Sequence, residues 1–193
     1  MHKGKYEYLP ITDLKDMLDK TGKLYSNNIA YQIRKKDNTY EMITHQEVRE
    51  QINALGTALI DMGLKNKRIA VIGENRYEWE IAYLAIVCGT GIVVPFDKSL
   101  PENELKSVVE RSNIEAIIYS KKYEETLKKM KFQGVGNLKH LISMDLENNQ
   151  NGIYSQKELI KKGKKLIQNG DTKFTSAKIN SEEMSIMLFT SGT

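Results

Sequence analysis

A chain of 193 residues can hold one domain with a sizeable buried core. Hydrophobic residues at 40% and charged residues at 28% exclude a disordered polymer, and no stretch reaches the about 18 consecutive apolar residues of a membrane-spanning helix. The net charge of +4 comes from lysines scattered without interleaved aromatics, which argues against nucleic acid as a partner and leaves only weak attraction to a membrane surface open.

Three further classes drop out on residue types. Cys88 is the single cysteine, so there is neither a disulfide framework nor a thiolate cluster, and its neighbours Ile86, Val87 and Gly89 give it the character of a small core residue. His2, His45 and His140 lie far apart with no ligand spacing, so no metal site is expected on them. The opening MHKGKYEYLP carries basic residues with no apolar run behind them, unlike a secretory signal, and a cytoplasmic location is expected.

In chain order, a helix is predicted over about Thr12 to Lys23, with Leu14, Met17 and Leu18 on one face. Ile29–Ile33 and Tyr40–Ile43 read as two strands of a hairpin around Lys36-Asp37-Asn38. Thr44 and Glu47 form a capping box, Ile43 and Val48 a hydrophobic staple, and Val48, Ile52, Leu55, Leu59 and Met62 a buried stripe that stops at Gly63. Arg68–Gly73 is a continuous apolar run whose branching suits a strand buried on both faces, the habit of parallel sheets.

The alternation continues. Glu78 to Val87 is predicted helical with Trp79, Ala82, Tyr83 and Ile86 inward; Gly91–Phe96 is a strand closed by Pro95. Pro101 opens a helix that turns Leu105, Val108 and Val109 to the core. Ala116–Tyr119 is a strand, Tyr123 to Met130 a helix, Leu138 to Met144 a strand, and Asn148 to Gly152 a polar loop. Ser155 and Glu158 make a second capping box for a helix ending at Gly170, whose run Lys161-Lys162-Gly163-Lys164-Lys165 lies on a solvated face. Ser185–Phe189 is a last buried strand. Strands separated by helices of this length give an α/β fold, a mostly parallel doubly wound sheet with flanking helices preceded by a helix and a hairpin. Residues 1–43 form the lead-in and residues 44–193 the α/β unit.

Ligands of such sheets collect at the carboxyl ends of the strands. The last strand runs into Thr190-Ser191-Gly192-Thr193, where glycine lets backbone N–H groups face an anion and the hydroxyls donate to phosphate oxygens. The same four residues also describe an ordinary polar turn. Gly89-Thr90-Gly91 precedes a strand, the wrong order for a dinucleotide fingerprint, and Gly134-Val135-Gly136 reads as a loop. No Ser/His/Asp set, close carboxylate pair or protein nucleophile is evident.

Phe189-Thr190-Ser191-Gly192-Thr193 resembles the opening of the phosphate loop of the adenylate-forming enzymes, Y-T-S-G-T-T-G-x-P-K-G, with Phe for Tyr and the chain stopping inside it. Ile43-Thr44-His45-Gln46-Glu47-Val48 resembles that family's (L/I)-T-Y-x-E-(L/V) helix start. Gly63-Leu64-Lys65-Asn66-Lys67-Arg68-Ile69-Ala70-Val71-Ile72 is similar to its G-(V/L)-K-x-G-D-R-V-A-I turn and strand, with Asn-Lys for Gly-Asp. Gly91–Pro95 followed by Leu100-Pro101 fits its next strand and helix start, and Glu74-Asn75-Arg76-Tyr77-Glu78-Trp79 is similar to the E-N-R-P-E-W of long-chain fatty-acid–CoA ligases. The resemblance implies the N-terminal part of an AMP-forming acyl-CoA ligase using ATP, Mg2+ and coenzyme A, with a fatty acid as the other substrate. It implies Thr190, Ser191, Gly192 and Thr193 as phosphate binders, no catalytic side chain here, and a structural role for Glu74, Asn75, Arg76 and Trp79. Alternatives are an adenylating enzyme for an aromatic or amino acid, and a non-catalytic α/β module that binds a nucleotide or a partner.

Overall fold

Asp13 caps the first helix, α1 (Leu14–Leu24), by accepting from Asp16 N, and Leu18 is its buried apolar anchor while Leu14 stays exposed. The structure, a computed structural model, describes residues 9–35 and 37–190. Strands β1 (Ile29–Arg34) and β2 (Tyr40–Thr44) pair antiparallel, Gln32 opposite Met42, with Asn38 at φ +65° in the connection; of the expected turn, Lys36 lies outside the described residues. Helix α2 (His45–Asp61) begins on the reciprocal capping box of Thr44 and Glu47, and its stripe Val48, Ile52, Leu55 and Leu59 is buried. Gly63 follows at φ +81°, a conformation that costs glycine nothing and ends the helix.

Five parallel strands form the sheet: β3 (Arg68–Ile72), β4 (Ile92–Pro95), β5 (Ala116–Tyr119), β6 (His140–Ser143) and β7 (Tyr154–Ser155), in the order β4-β3-β5-β6-β7. The two residues of β7 fall outside any sequence prediction, because so short a strand leaves no period to read. Helices α3 (Tyr77–Ala85), α4 (Glu102–Ser112), α5 (Glu124–Phe132) and α6 (Gln156–Gln168) connect and cover it. Alternate residues of β3 separate two cores. Ile69 and Val71 face the layer built from α2, α3 and α6, whereas Ala70 and Ile72 face α4 and α5. Such double coverage is why the strands read as unbroken apolar runs.

Three expectations are corrected. Helix α3 buries Ile81, Ala82 and Ala85, while Trp79 and Tyr83 stack on its flank at 5.3 Å; nine residues with apolar groups all round leave the inward face to tertiary packing. Ser155 Oγ accepts from Glu158 N at 3.3 Å, but the Ser155 N–H is taken by Asn149 Oδ1 at 2.7 Å, so the second cap does not have its reciprocal half. Finally, Ser185–Phe189 is not a buried strand. It lies at the sheet edge beside β4, Ile186 bridging Val93, with Ile186 36% and Leu188 68% exposed.

Close backbone approaches complete the packing. A Cβ on Gly163 of α6 would stand 1.8 Å from Ala54 O of α2, so only glycine allows this helix contact. The fully buried ring of Phe174 occupies the space that a side chain on Gly56 would need, and Lys15 lies 5.2 Å over it. Phe174 thereby pins the descending segment between α6 and the sheet edge.

Candidate functional site

The carboxyl ends of β3, β5 and β6 carry a charged cluster. Arg76, directly before α3, reaches Glu78 Oε2 at 2.7 Å through Nε and Asp145 Oδ1 at 2.6 Å through Nη1. Asp145 also accepts from Lys121 N at 2.7 Å, so one guanidinium and one carboxylate tie the loops after β3, β5 and β6 together. The buried Ser120 hydroxyl beside Glu74 holds that carboxyl below the usual range. Arg76, Glu78 and Asp145 are thus tied to one another, and Arg76 with Asp145 is the link across this edge.

Strand order reverses between β3 and β5, the switch point where open sheets open a crevice. The phosphate-loop candidate lies elsewhere, on the outer side of β4. Val93 N donates to Ser185 O at 2.9 Å and Met187 N to Val93 O at 3.0 Å, which sets the edge segment parallel to β4. Met187 and Phe189 then pack against the α4–α5 core layer, and Thr190 emerges exposed at the carboxyl end. Ser191, Gly192 and Thr193 lie outside the described residues.

Thr190 borders a cleft of about 360 Å³ lined also by Phe96, Asp97, Glu104, Arg111 and Phe189. The Asp97 carboxylate accepts from Ser99 Oγ at 2.7 Å and Ser99 N at 2.8 Å, and these bonds hold it below the usual carboxylate range. Arg111 lies 5.7 Å over the Phe189 ring. Arg111 escaped the sequence reading because nothing local links it to a phenylalanine so far along the chain. Among the described residues no group of three or more His, Cys, Asp or Glu is placed to hold a metal ion.

Residues 18–193 match the family model of the AMP-binding enzyme, and the chain belongs to that family. Fatty acyl-CoA synthetase B of Dictyostelium discoideum is 30% identical over 200 residues, which span 95% of this chain and 29% of that protein. Long-chain-fatty-acid–CoA ligase 1 of Homo sapiens is 26% identical over 148 residues, 72% of this chain and 21% of that protein. The chain therefore spans less than a third of the length of these relatives. A long-chain-fatty-acid-CoA ligase from Archaeoglobus fulgidus superposes with a TM-score of 0.75 over 97% of this chain and 36% of that one, at 17% identity. Coronafacic acid ligase from Pectobacterium brasiliense does so with 0.70 over 91% and 33%, at 21% identity. At these identities the structural likeness carries the fold.

Proposed function

We propose that this chain is the N-terminal part of a fatty-acid–CoA ligase. In that reaction a fatty carboxylate attacks the α-phosphate of Mg-ATP, pyrophosphate leaves, and the coenzyme A thiol displaces AMP from the acyl-adenylate to give the thioester. The observation that carries this reading is the match of nearly the whole chain to the AMP-binding family, with a fatty acyl-CoA synthetase among its relatives. Thr190, Ser191, Gly192 and Thr193 serve as phosphate binders, through hydroxyls and backbone N–H groups at the carboxyl end of the edge segment. Both nucleophiles belong to the substrates, so the protein's part is positioning and electrostatic stabilisation. Magnesium arrives with the nucleotide.

Residues 1–43 act as the lead-in and residues 44–193 as the α/β unit of the adenylation domain. No helix among the described residues is long and apolar enough to cross a membrane; a cytoplasmic enzyme with at most weak membrane-surface contact fits this reading.

The test is pyrophosphate exchange into ATP with a panel of carboxylic acids, run on the full-length gene product beside the 193-residue chain. Exchange that peaks with medium or long fatty acids, with the 193-residue chain silent, is expected. Exchange confined to aromatic or amino acids would keep the adenylation chemistry and remove the fatty-acid assignment. No exchange with any acid would favour a non-catalytic nucleotide- or partner-binding module.

A further inference from the structure

Helix α5 turns Leu127 and Met130 into the core, which leaves Lys128, Lys129 and Phe132 on its outward side, three and four residues apart. Phe132 is 94% exposed, the most exposed large apolar side chain among the described residues, and it packs against neither core layer. Beside it a groove of about 510 Å³ runs between the start of α4 and the last turn of α5, lined by Glu102, Asn103, Lys106, Lys129, Met130 and Gln133. Lys128 is held by Glu124 at 2.7 Å and Glu125 at 3.1 Å, whereas Lys106, Lys129 and Lys131 form no ion pair among the described residues. Lysines at a helix C-terminus complement its dipole and need no further account. An aromatic ring held in water does. Helix α6 is also rich in lysine, but its Lys157, Lys161 and Lys162 are paired with Glu147, Glu158 and Asp61, and it exposes no large apolar side chain.

We propose that the α4–α5 face docks on an anionic lipid bilayer, with Phe132 inserted at the interface and Lys106, Lys129 and Lys131 against headgroup phosphates. An aromatic ring settles at the boundary of headgroup and acyl chain, while ammonium groups are drawn to the negative surface. A bilayer fits this face better than a nucleic acid, because base stacking uses rings at successive sites and only one ring stands here. Each lysine near the surface strengthens partition about 5-fold, and burial of the ring about 10-fold. The proposal goes beyond the ligase reading and does not depend on it, since docking requires no turnover.

The experiment is cosedimentation of the full-length gene product with vesicles of phosphatidylcholine, with and without phosphatidylserine. Wild type is expected to bind the phosphatidylserine vesicles and to leave them as salt is raised, because exposed charges are screened. Phe132→Ser should weaken that binding about 10-fold, and the double variant Lys129→Gln/Lys131→Gln about 25-fold. Lys164→Gln/Lys165→Gln on α6 should bind like wild type. All of these are surface substitutions, and an unchanged Tm checks that each variant is folded. A wild type that does not bind would overturn the proposal. So would an α6 variant that loses as much binding as the α5 double variant, because net charge alone would then be at work. Binding that is lost with the α5 lysines but indifferent to Phe132→Ser would overturn it as well, since the ring would then take no part.

Discussion

The Cys88 side chain is fully buried where α3 gives way to a wide turn, and burial pushes its thiol up to about 12. At pH 8 that leaves about three orders of magnitude less thiolate than a free cysteine carries. A thiol reagent should therefore label the folded protein at pH 8 far more slowly than the urea-unfolded chain; equal rates would disprove the burial. Glu115 behaves oppositely. Lys67 Nζ at 2.8 Å and Lys139 Nζ at 2.9 Å hold its carboxyl below the usual range, and the three residues precede β5, β3 and β6. A carboxylate whose folded pKa is depressed stabilises above its unfolded pKa of about 4.3 and loses that contribution as pH falls through the folded value. Both lysines are about half exposed, so screening limits the effect. Glu115→Gln should lose about 0.5–1 kcal/mol at pH 7 in urea denaturation, with the difference shrinking as pH falls below about 4.3 and through the folded value. A difference that did not shrink with falling pH would place the effect in packing rather than charge.

Between elements, the tightest constraint is the crossing of α2 and α6. Gly163→Ala sets two effects against each other. Alanine is the better helix former by about 1 kcal/mol, but its Cβ would meet the Ala54 carbonyl oxygen at 1.8 Å. Backbone cannot swing aside as a flexible side chain does, so overpacking wins, at about 1–3 kcal/mol net of relaxation. Thermal unfolding should register this as a Tm lowered by several degrees; a raised Tm would mean that the helices do not approach this closely. The glycine sits in a lysine-rich run whose charges mark a solvated face, so no local pattern singles it out. Its use lies in a carbonyl of a helix more than a hundred residues earlier.

For the molecule as a whole, the sheet ends at an apolar edge. Met184, Ile186 and Leu188 are exposed along a segment bonded on one side to β4. Edges of this kind invite pairing with another chain. The 193-residue polypeptide is expected to self-associate in sedimentation velocity, and Leu188→Lys to reduce that association. Identical sedimentation of the two proteins would show that this edge is not the contact.

Helix α2 was legible, apart from Met62, which is its half-buried C-cap, because capping box, apolar stripe and terminal glycine act within a few residues of one another. The α/β alternation was legible for the same reason: each apolar run carries its own period and breakers. Thr190-Ser191-Gly192-Thr193 stood out by residue type and by likeness to a family. What tertiary structure decided is lateral. It set the strand order, the edge place of residues 184–189, the inward face of α3, the pairing of Arg76 with Asp145 and the meeting of Arg111 with Phe189. Local pattern fixes whether a segment is strand or helix, since it depends on neighbours within one turn or pleat. Which strand lies beside which depends on contacts between residues far apart in the chain, and no short window contains them.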